Sequence, residues 1–429
     1  MTITNNALKP SPDSRLTANN GPLSGIRVCD LSGQLAGAGS TRFLGAFGAQ
    51  VIRVEDPSNQ GAWDILRGAP PYVDERRGTN LSGSFNNHNI EKLGVTINLR
   101  VPKGRELIEK LIAVSDVVTE NFSAGVMDRL GLGYEQLKAI NPDIIYVSNS
   151  GFGHDGPYAS YKTFGPIVQA LSGLTFTSGT PDMPPAGWGY SYMDHMGGNF
   201  MALAVLAALH HRNETGEGQW VDMSCTEAGL ALAGPSILDY TVNGRGLRRP
   251  GSPDANRDER HQMAPHGIYP AAGEDDWVAV VCRDDREWEE LARLIDEPWA
   301  KDPRFRTAEG RLSAQDELDE KLADWSASRP RDVIVRDIQQ AGAVAAIVAR
   351  PEDRIERDPS TGEFGLWPTV HHREIGDVRV DGIPVHLSET DWSISHGSPC
   401  LGEHTDLVLR EVLGLSAEEI DELKKEGVS

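Results

Sequence analysis

The sequence predicts an α/β protein, with a Rossmann-like large domain built on a parallel sheet and a smaller α+β domain. Two observations predict the sheet: short apolar runs that end in Gly, Pro or a polar residue, and helix-length stretches that alternate with them over roughly the first 150 to 200 residues. A third observation predicts the second domain. With 429 residues the chain is long for one core, and a polar segment rich in Arg, Pro and Gly, "GRGLRRPGSPDANRDERHQMAPHG", interrupts it from Gly244.

The first strand is "GIRVCDLS" (residues 25–32), which runs into the glycine-rich turn "GQLAGAGS" and a helix-like "TRFLGAFGA". "QVIRVEDP" follows as a second strand stopped by Pro57, and a β-α-β unit of this kind opens a parallel sheet. "RVPKGRELIEKLIAVSDVVTENF" supplies a further helix and strand, and "LKAINPDIIYVSNSGFG" another strand ending at Gly151. Beyond the polar segment, "DWVAVVCRDDREWEELARLID" and "AQDELDEKLADWSASRPRDVIVRDIQQAG" read as a strand and amphipathic helices. Two closing helices follow in "GEHTDLVLREVLGLSAEEIDELKKEG", the second opened by the capping pattern Ser416-x-x-Glu419. The expected organisation is a disordered lead-in (1–23), a large domain (24–230), a linker (231–267), a small domain (268–345) and a return segment completing the large domain (346–429).

Composition narrows the function. The formal charge of −22, from 41 Lys+Arg against 63 Asp+Glu, is wrong for a protein that neutralises a nucleic-acid backbone, although a few basic groups could still hold a small polyanion. Cys29, Cys225, Cys282 and Cys400 lie far apart with no C-x-x-C pair, which fits reduced thiols in a cytoplasmic protein and indicates no zinc site. No run approaches the ~18 consecutive apolar residues of a membrane span, and the polar start lacks the apolar core of a signal peptide.

Two local patterns invite chemistry. The turn "AGAGSTRFLG" with Glu55 about 20 residues on suggests a dinucleotide fingerprint, but Arg42 stands where close helix-to-strand packing wants Gly or Ala. A plain small-residue turn explains it better. The second pattern is "GWGYSYMDHMGGNFMALAVLAALHHRNETGEGQ" (187–219), where Asp194 is bracketed by Gly187, Gly189, Gly197 and Gly198 and followed by an apolar helix expected over 199–212. A lone Asp there reads first as an N-cap. The helix is apolar on every side, however, so its start should lie inside the protein or at the floor of a cleft. Burial raises the pKa of such an acid, while the helix end favours the ionised form by about 0.3–1 kcal/mol, and the carboxylate could stay poised to attack. The glycines would admit a bulky substrate and leave N–H groups open to an oxyanion.

The segment "MDHMGGNFMALAVLAALHHRNETGEGQWVDMSCTEA" resembles the class III CoA-transferase family, the formyl-CoA:oxalate and carnitine CoA-transferase type, with α-methylacyl-CoA racemase as a relative. "LSGIRVCDLSGQLAGAGSTRFLGAFGAQVIRVEDP", "VVTENFSAGVMDRLGLGYEQLKAINPDIIYVSNSGFGHDGPY", "APHGIYPAAGEDDWVAV" and "LGEHTDLVLREVLGLS" resemble other family blocks in family order. The resemblance implies the family's fold in an interlocked homodimer, with Asp194 as nucleophile. It also implies that acyl-CoA and a carboxylic acid are the substrates, that coenzyme A enters only as part of a substrate, and that no cofactor or metal is held. By the same resemblance Gly37, Lys92, Asn121, Phe122 and Arg129 contact the CoA.

Departures from the family pattern narrow the expectation. Leu35 replaces the glutamine of formyl-CoA:oxalate enzymes, and Phe164 stands where racemases carry a proton-shuttling His. The segment before Asp194 is closest to the benzylsuccinate CoA-transferase branch, which implies a bulkier acceptor pocket lined by Leu35, Trp188, Tyr190, Tyr192 and His195, with succinyl-CoA as donor. Two alternatives stay open: a 2-methylacyl-CoA racemase, and a non-catalytic subunit of a heteromeric CoA-transferase.

Overall fold

The computed structural model describes residues 21–248, 250–257 and 262–429, and the chain forms two compact units. The first holds the chain through Leu174, Trp188–Ala233 and Ser360–Ser429; the second holds Thr175–Gly187 and Gly234–Pro359. Most of the expected lead-in, residues 1–20, lies outside the described residues. Leu23, at its end, is not part of a lead-in: it is buried in the core and its N–H donates to Phe47 O at 3.0 Å.

The first unit runs β1 (Arg27–Asp30), α1 (Gln34–Ala46), β2 (Gln50–Glu55), α2 (Gly83–His88), β3 (Lys92–Thr96), α3 (Pro102–Ala113), β4 (Val117–Glu120), α4 (Val126–Arg129), α5 (Tyr134–Ile140), β5 (Ile145–Ser150), α6 (Gly165–Leu171), α7 (Tyr192–Thr215), β6 (Trp220–Ser224) and α8 (Cys225–Leu232). All six strands pair in parallel in the order β3-β2-β1-β4-β5-β6. This is the doubly wound order, whose direction of growth reverses between β1 and β4.

Strand alternation explains the two cores. Cys29, Ile52, Val54 and Val118 face one side, where α3 contributes Leu107, Ile108, Leu111 and Ile112. Val28, Val51 and Val117 face the other, against Leu44 of α1 and Met201, Val205 and Leu209 of α7.

The second unit carries α9 (Gly234–Asn243), β7 (His266–Pro270), β8 (Trp277–Val281), α10 (Asp285–Ile295), α11 (Ala308–Ser313), α12 (Gln315–Ala327), α13 (Arg331–Ala341) and β9 (Val344–Ile347). Its three strands form an antiparallel sheet, β7-β8-β9, over a separate core centred on Trp288, Leu291, Phe305 and Leu322. The stretch expected as linker thus opens with a helix. The chain then passes through α14 (Pro359–Glu363) and the hairpin β10 (Thr369–His372) and β11 (Gly376–Arg379). It ends with α15 (Thr405–Glu411) and α16 (Ala417–Lys425), whose Ser416–Glu419 capping box is formed in both directions.

Candidate active site

Loops after β1 and β4, the strands flanking the reversal, form one wall of a cleft of about 290 Å³. Asn121 clamps the two loops together: its Oδ1 accepts the Gly33 N–H at 2.8 Å and its Nδ2 donates to Gly33 O at 2.9 Å. Gln34, Ala36, Trp63, Phe122 and Ser123 line this side, while Tyr161, Lys162, Thr163 and Phe164 line the mouth. Asn149, Val168, Cys225 and Asp194 also line the cleft.

Asp194 is not an N-cap. The helix starts earlier than its apolar run suggests, at Tyr192, with Ser191 as N-cap at φ 46°, so Asp194 occupies the third helical position. Its carboxylate accepts hydrogen bonds from the Ser191 hydroxyl and from the Gly165 N–H at the start of α6. Burial pushes its pKa from the ordinary 3.8 up to about 6, and those two donors oppose the shift. Above that pH it is an ionised carboxylate facing a cavity. Cys225, in the same cavity, stays a thiol: burial and the Asp194 charge push it up to about 12, and its Sγ donates to Asn149 Oδ1 at 3.0 Å.

The glycines of α7 serve packing. Gly197 and Gly198 lie inside the helix, where their N–H groups bond to the preceding turn and offer nothing to an oxyanion. A Cβ on Gly198 would stand 2.8 Å from Ala36 O, and one on Gly197 2.7 Å from Cys225 Sγ. Nor is α7 buried on every side, because Asn199, Leu203, Ala207 and His210 form an exposed stripe and Leu203 is 61% exposed.

The other expected site residues divide. Asn121 and Phe122 line the cleft. Gly37 lies beneath it, where a Cβ would collide with Ser32, so its role is to let α1 approach the β1 loop. Arg129, at the end of α4 just past the Phe122 wall, is exposed and has no partner among the described residues. Lys92 is elsewhere: it is 0% exposed, with Nζ 3.0 Å from Ala38 O, 3.0 Å from Asn89 Oδ1 and 3.4 Å from Asp30 Oδ2. Desolvation lowers it to about 7, and it reaches no ligand surface.

Leu35 packs into a small core with Leu66 and Phe85, and its neighbour Gln34, at φ 55°, lines the cleft instead. Trp188, Tyr190, Tyr192 and His195 do not line it either. Trp188 stands edge-on to Tyr192 at 5.0 Å, and His195 lies 5.6 Å from both Tyr190 and His88. Burial lowers the His195 pKa, and the ring does not line the cleft that holds Asp194. Glu55 binds no ribose, because it is 2.6 Å from Arg67 Nη2 in a buried network with Arg53 and Asp64.

Sequence reasoning missed Gln34, Trp63, Lys162 and Gly165. Among the described residues, Lys162 is the one Lys or Arg in the cleft lining. Of these only Gly165 left a signal, since Pro166 after it marks a helix start.

A carboxylate held at a helix start in such a cleft suits covalent acyl chemistry, and similarity to known proteins points the same way. Residues 23–405 match the model of CoA-transferase family III. The chain is 33% identical over 410 residues to succinyl-CoA–D-citramalate CoA-transferase of Chloroflexus aurantiacus, covering 95% of this chain and 98% of that protein. It is 32% identical over 398 residues to succinate–glutarate CoA-transferase of Agrobacterium fabrum, covering 91% and 96%. The crystal structure of a CAIB/BAIF family protein from Brucella suis superposes with a TM-score of 0.83 at 30% identity, covering 92% of this chain and all of that one. With its doubly wound sheet and a match that spans both units, the chain belongs to CoA-transferase family III.

Proposed function

We propose that the protein moves CoA from a donor thioester, succinyl-CoA, to an acceptor carboxylic acid, with Asp194 as the covalent carrier. The observation that carries this reading is the Asp194 carboxylate, raised to about 6 yet ionised at neutral pH, in a cleft walled by Asn121 and Phe122. The carboxylate attacks the thioester carbonyl, forming an acyl-aspartyl anhydride and releasing CoA thiolate. The thiolate attacks the aspartyl carbonyl, giving an aspartyl-CoA thioester and the free donor acid. The acceptor carboxylate then attacks that thioester, and the thiolate it displaces takes the new acyl group and restores Asp194. Each step exchanges one carboxylate or thiolate for another, so protons balance and the thioester energy is retained.

Exposed Arg129 and the cleft cation Lys162 supply positive charge for the anionic groups of the substrates. The donor assignment follows from the relatives' names, both of which involve succinate or its thioester. A second copy of the chain is the reading for exposed Leu203 of α7 and exposed Ile167 and Leu171 of α6.

The test is incubation with succinyl-CoA, trapping with hydroxylamine or borohydride, and mass spectrometry of the modified residue. Modification at Asp194, lost in Asp194→Ala, is the expected result. A label elsewhere, or turnover that survives the substitution, overturns it.

A further inference from the structure

Glu120 ends β4 and is 1% exposed, and it does not line the Asp194 cleft. Its Oε2 accepts the Phe122 N–H at 2.6 Å, and its Oε1 accepts the Tyr146 hydroxyl at 2.9 Å from neighbouring β5. His154 approaches Oε1 with Nε2 at 4.0 Å, and its Nδ1 meets Asp222 Oδ1 of β6 at 2.9 Å. Asp222, His154, Glu120 and Tyr146 thus form a chain that crosses three adjacent strands, β4, β5 and β6. Tyr146 is wedged by stacking on Tyr134 at 6.5 Å and Trp220 at 6.2 Å.

A carboxyl group in a core is costly, and an apolar residue of similar volume would serve packing alone as well or better. What Glu120 does that an apolar residue cannot is accept two hydrogen bonds, from the Tyr146 hydroxyl and from a backbone N–H. That N–H belongs to Phe122, whose ring lines the cleft beside Asn121.

We infer that Glu120 is a positioning residue for the acyl-CoA: by holding the Phe122 N–H it sets the cleft wall at residues 121–124 in the conformation the substrate requires. This rests on the reading of the cleft as the acyl-CoA site. Burial raises the Glu120 carboxyl to about 7, opposed by the Phe122 and Tyr146 donors and the His154 charge, while Asp222 adds to the rise. The neutral form keeps both bonds when the Tyr146 hydroxyl turns to accept from it. Glutamine reproduces that neutral form and alanine does not.

The experiment is steady-state kinetics on Glu120→Ala and Glu120→Gln in the full chain, with Asp194→Ala as control, together with the amide resonance of Phe122 in protein labelled with 15N-phenylalanine. Expected are a rise of about tenfold in KM for succinyl-CoA in Glu120→Ala with kcat within about twofold, and both constants within about twofold of wild type in Glu120→Gln. The Phe122 resonance should move with pH in the wild type and stay still in Glu120→Gln. A fall in kcat at unchanged KM, equal impairment of both variants, or a wild-type resonance indifferent to pH would overturn the inference. If Glu120→Ala does not fold, Glu120→Gln and the resonance decide. An inactive Asp194→Ala beside a fully normal Glu120→Ala sinks this inference alone; retained turnover in Asp194→Ala sinks the reading of the cleft, and the resonance still tells whether Glu120 holds the wall.

Discussion

The Asp194 carboxylate stands where a side chain of Gly165 would be. A Cβ on Gly165 would lie 2.5 Å from Asp194 Oδ2 and 2.8 Å from its Cγ, while the Gly165 N–H donates to that carboxylate. The glycine therefore provides both the hydrogen bond and the room for its acceptor.

Gly165→Ala should push Asp194 off its place. Displacement of a reacting group by about 1 Å costs about a hundredfold in rate. We expect kcat to fall by that order while circular dichroism stays native, since the mouth of the cleft is open and the backbone there is not in the left-handed region. Unchanged kcat would show that the carboxylate tolerates the shift.

The pH dependence has a definite sign. Asp194 must be ionised to attack, so kcat/KM for the donor should fall about tenfold per unit as pH drops below about 6. Stability runs the other way. Because the folded pKa is above the ordinary 3.8, the folded state favours the protonated acid; the stabilising contribution is present below the unfolded value and is lost as pH rises through about 6. Asp194→Asn should thus abolish turnover yet raise stability at pH about 8 by on the order of 1–2 kcal/mol, with little gain at pH about 4. Thermal melts at the two pH values check this.

Arg129 and Lys92 should separate in a kinetic comparison. Arg129→Ala should raise KM for the acyl-CoA about tenfold, the loss expected of one charge-assisted contact. Lys92→Met should leave that KM within about twofold, because its ammonium is enclosed by Asp30, Asn89 and Ala38. A KM effect from Lys92→Met at native stability would return that lysine to the binding surface.

Gly198→Ala should be felt in the scaffold. The added methyl would meet Ala36 O at 2.8 Å, so α1 and α7 must separate or bend, at a cost of about 1–3 kcal/mol read by urea unfolding. Gly39→Ala, which meets nothing within 4 Å, is the matched control and should be near neutral.

How the site was legible follows from these cases. Asp194 could be found from the sequence because an acid beside an apolar helix is locally anomalous, and family motifs around it are contiguous. Gly165 could not be paired with it, since their meeting depends on how α6 and α7 pack. Trp188, Tyr190, Tyr192 and His195 are close to Asp194 along the chain, but a helix turns about 100° per residue, so Tyr192 and Asp194 point to nearly opposite sides once the helix begins at Tyr192. Leu35 and Gln34 exchange places for the same reason at the start of α1.

The sequence by itself determined four of the six parallel strands with their alternating helices and the place of Asp194 near the start of an apolar helix, because these rest on local periodicity and on contiguous motifs. Tertiary structure alone decided that Lys92 is enclosed, that Glu55 and Arg67 pair in the core, and that the Gly165 N–H holds the Asp194 carboxylate. A charged residue's exposure depends on which strands and loops close over it, and that is a long-range outcome no local pattern encodes.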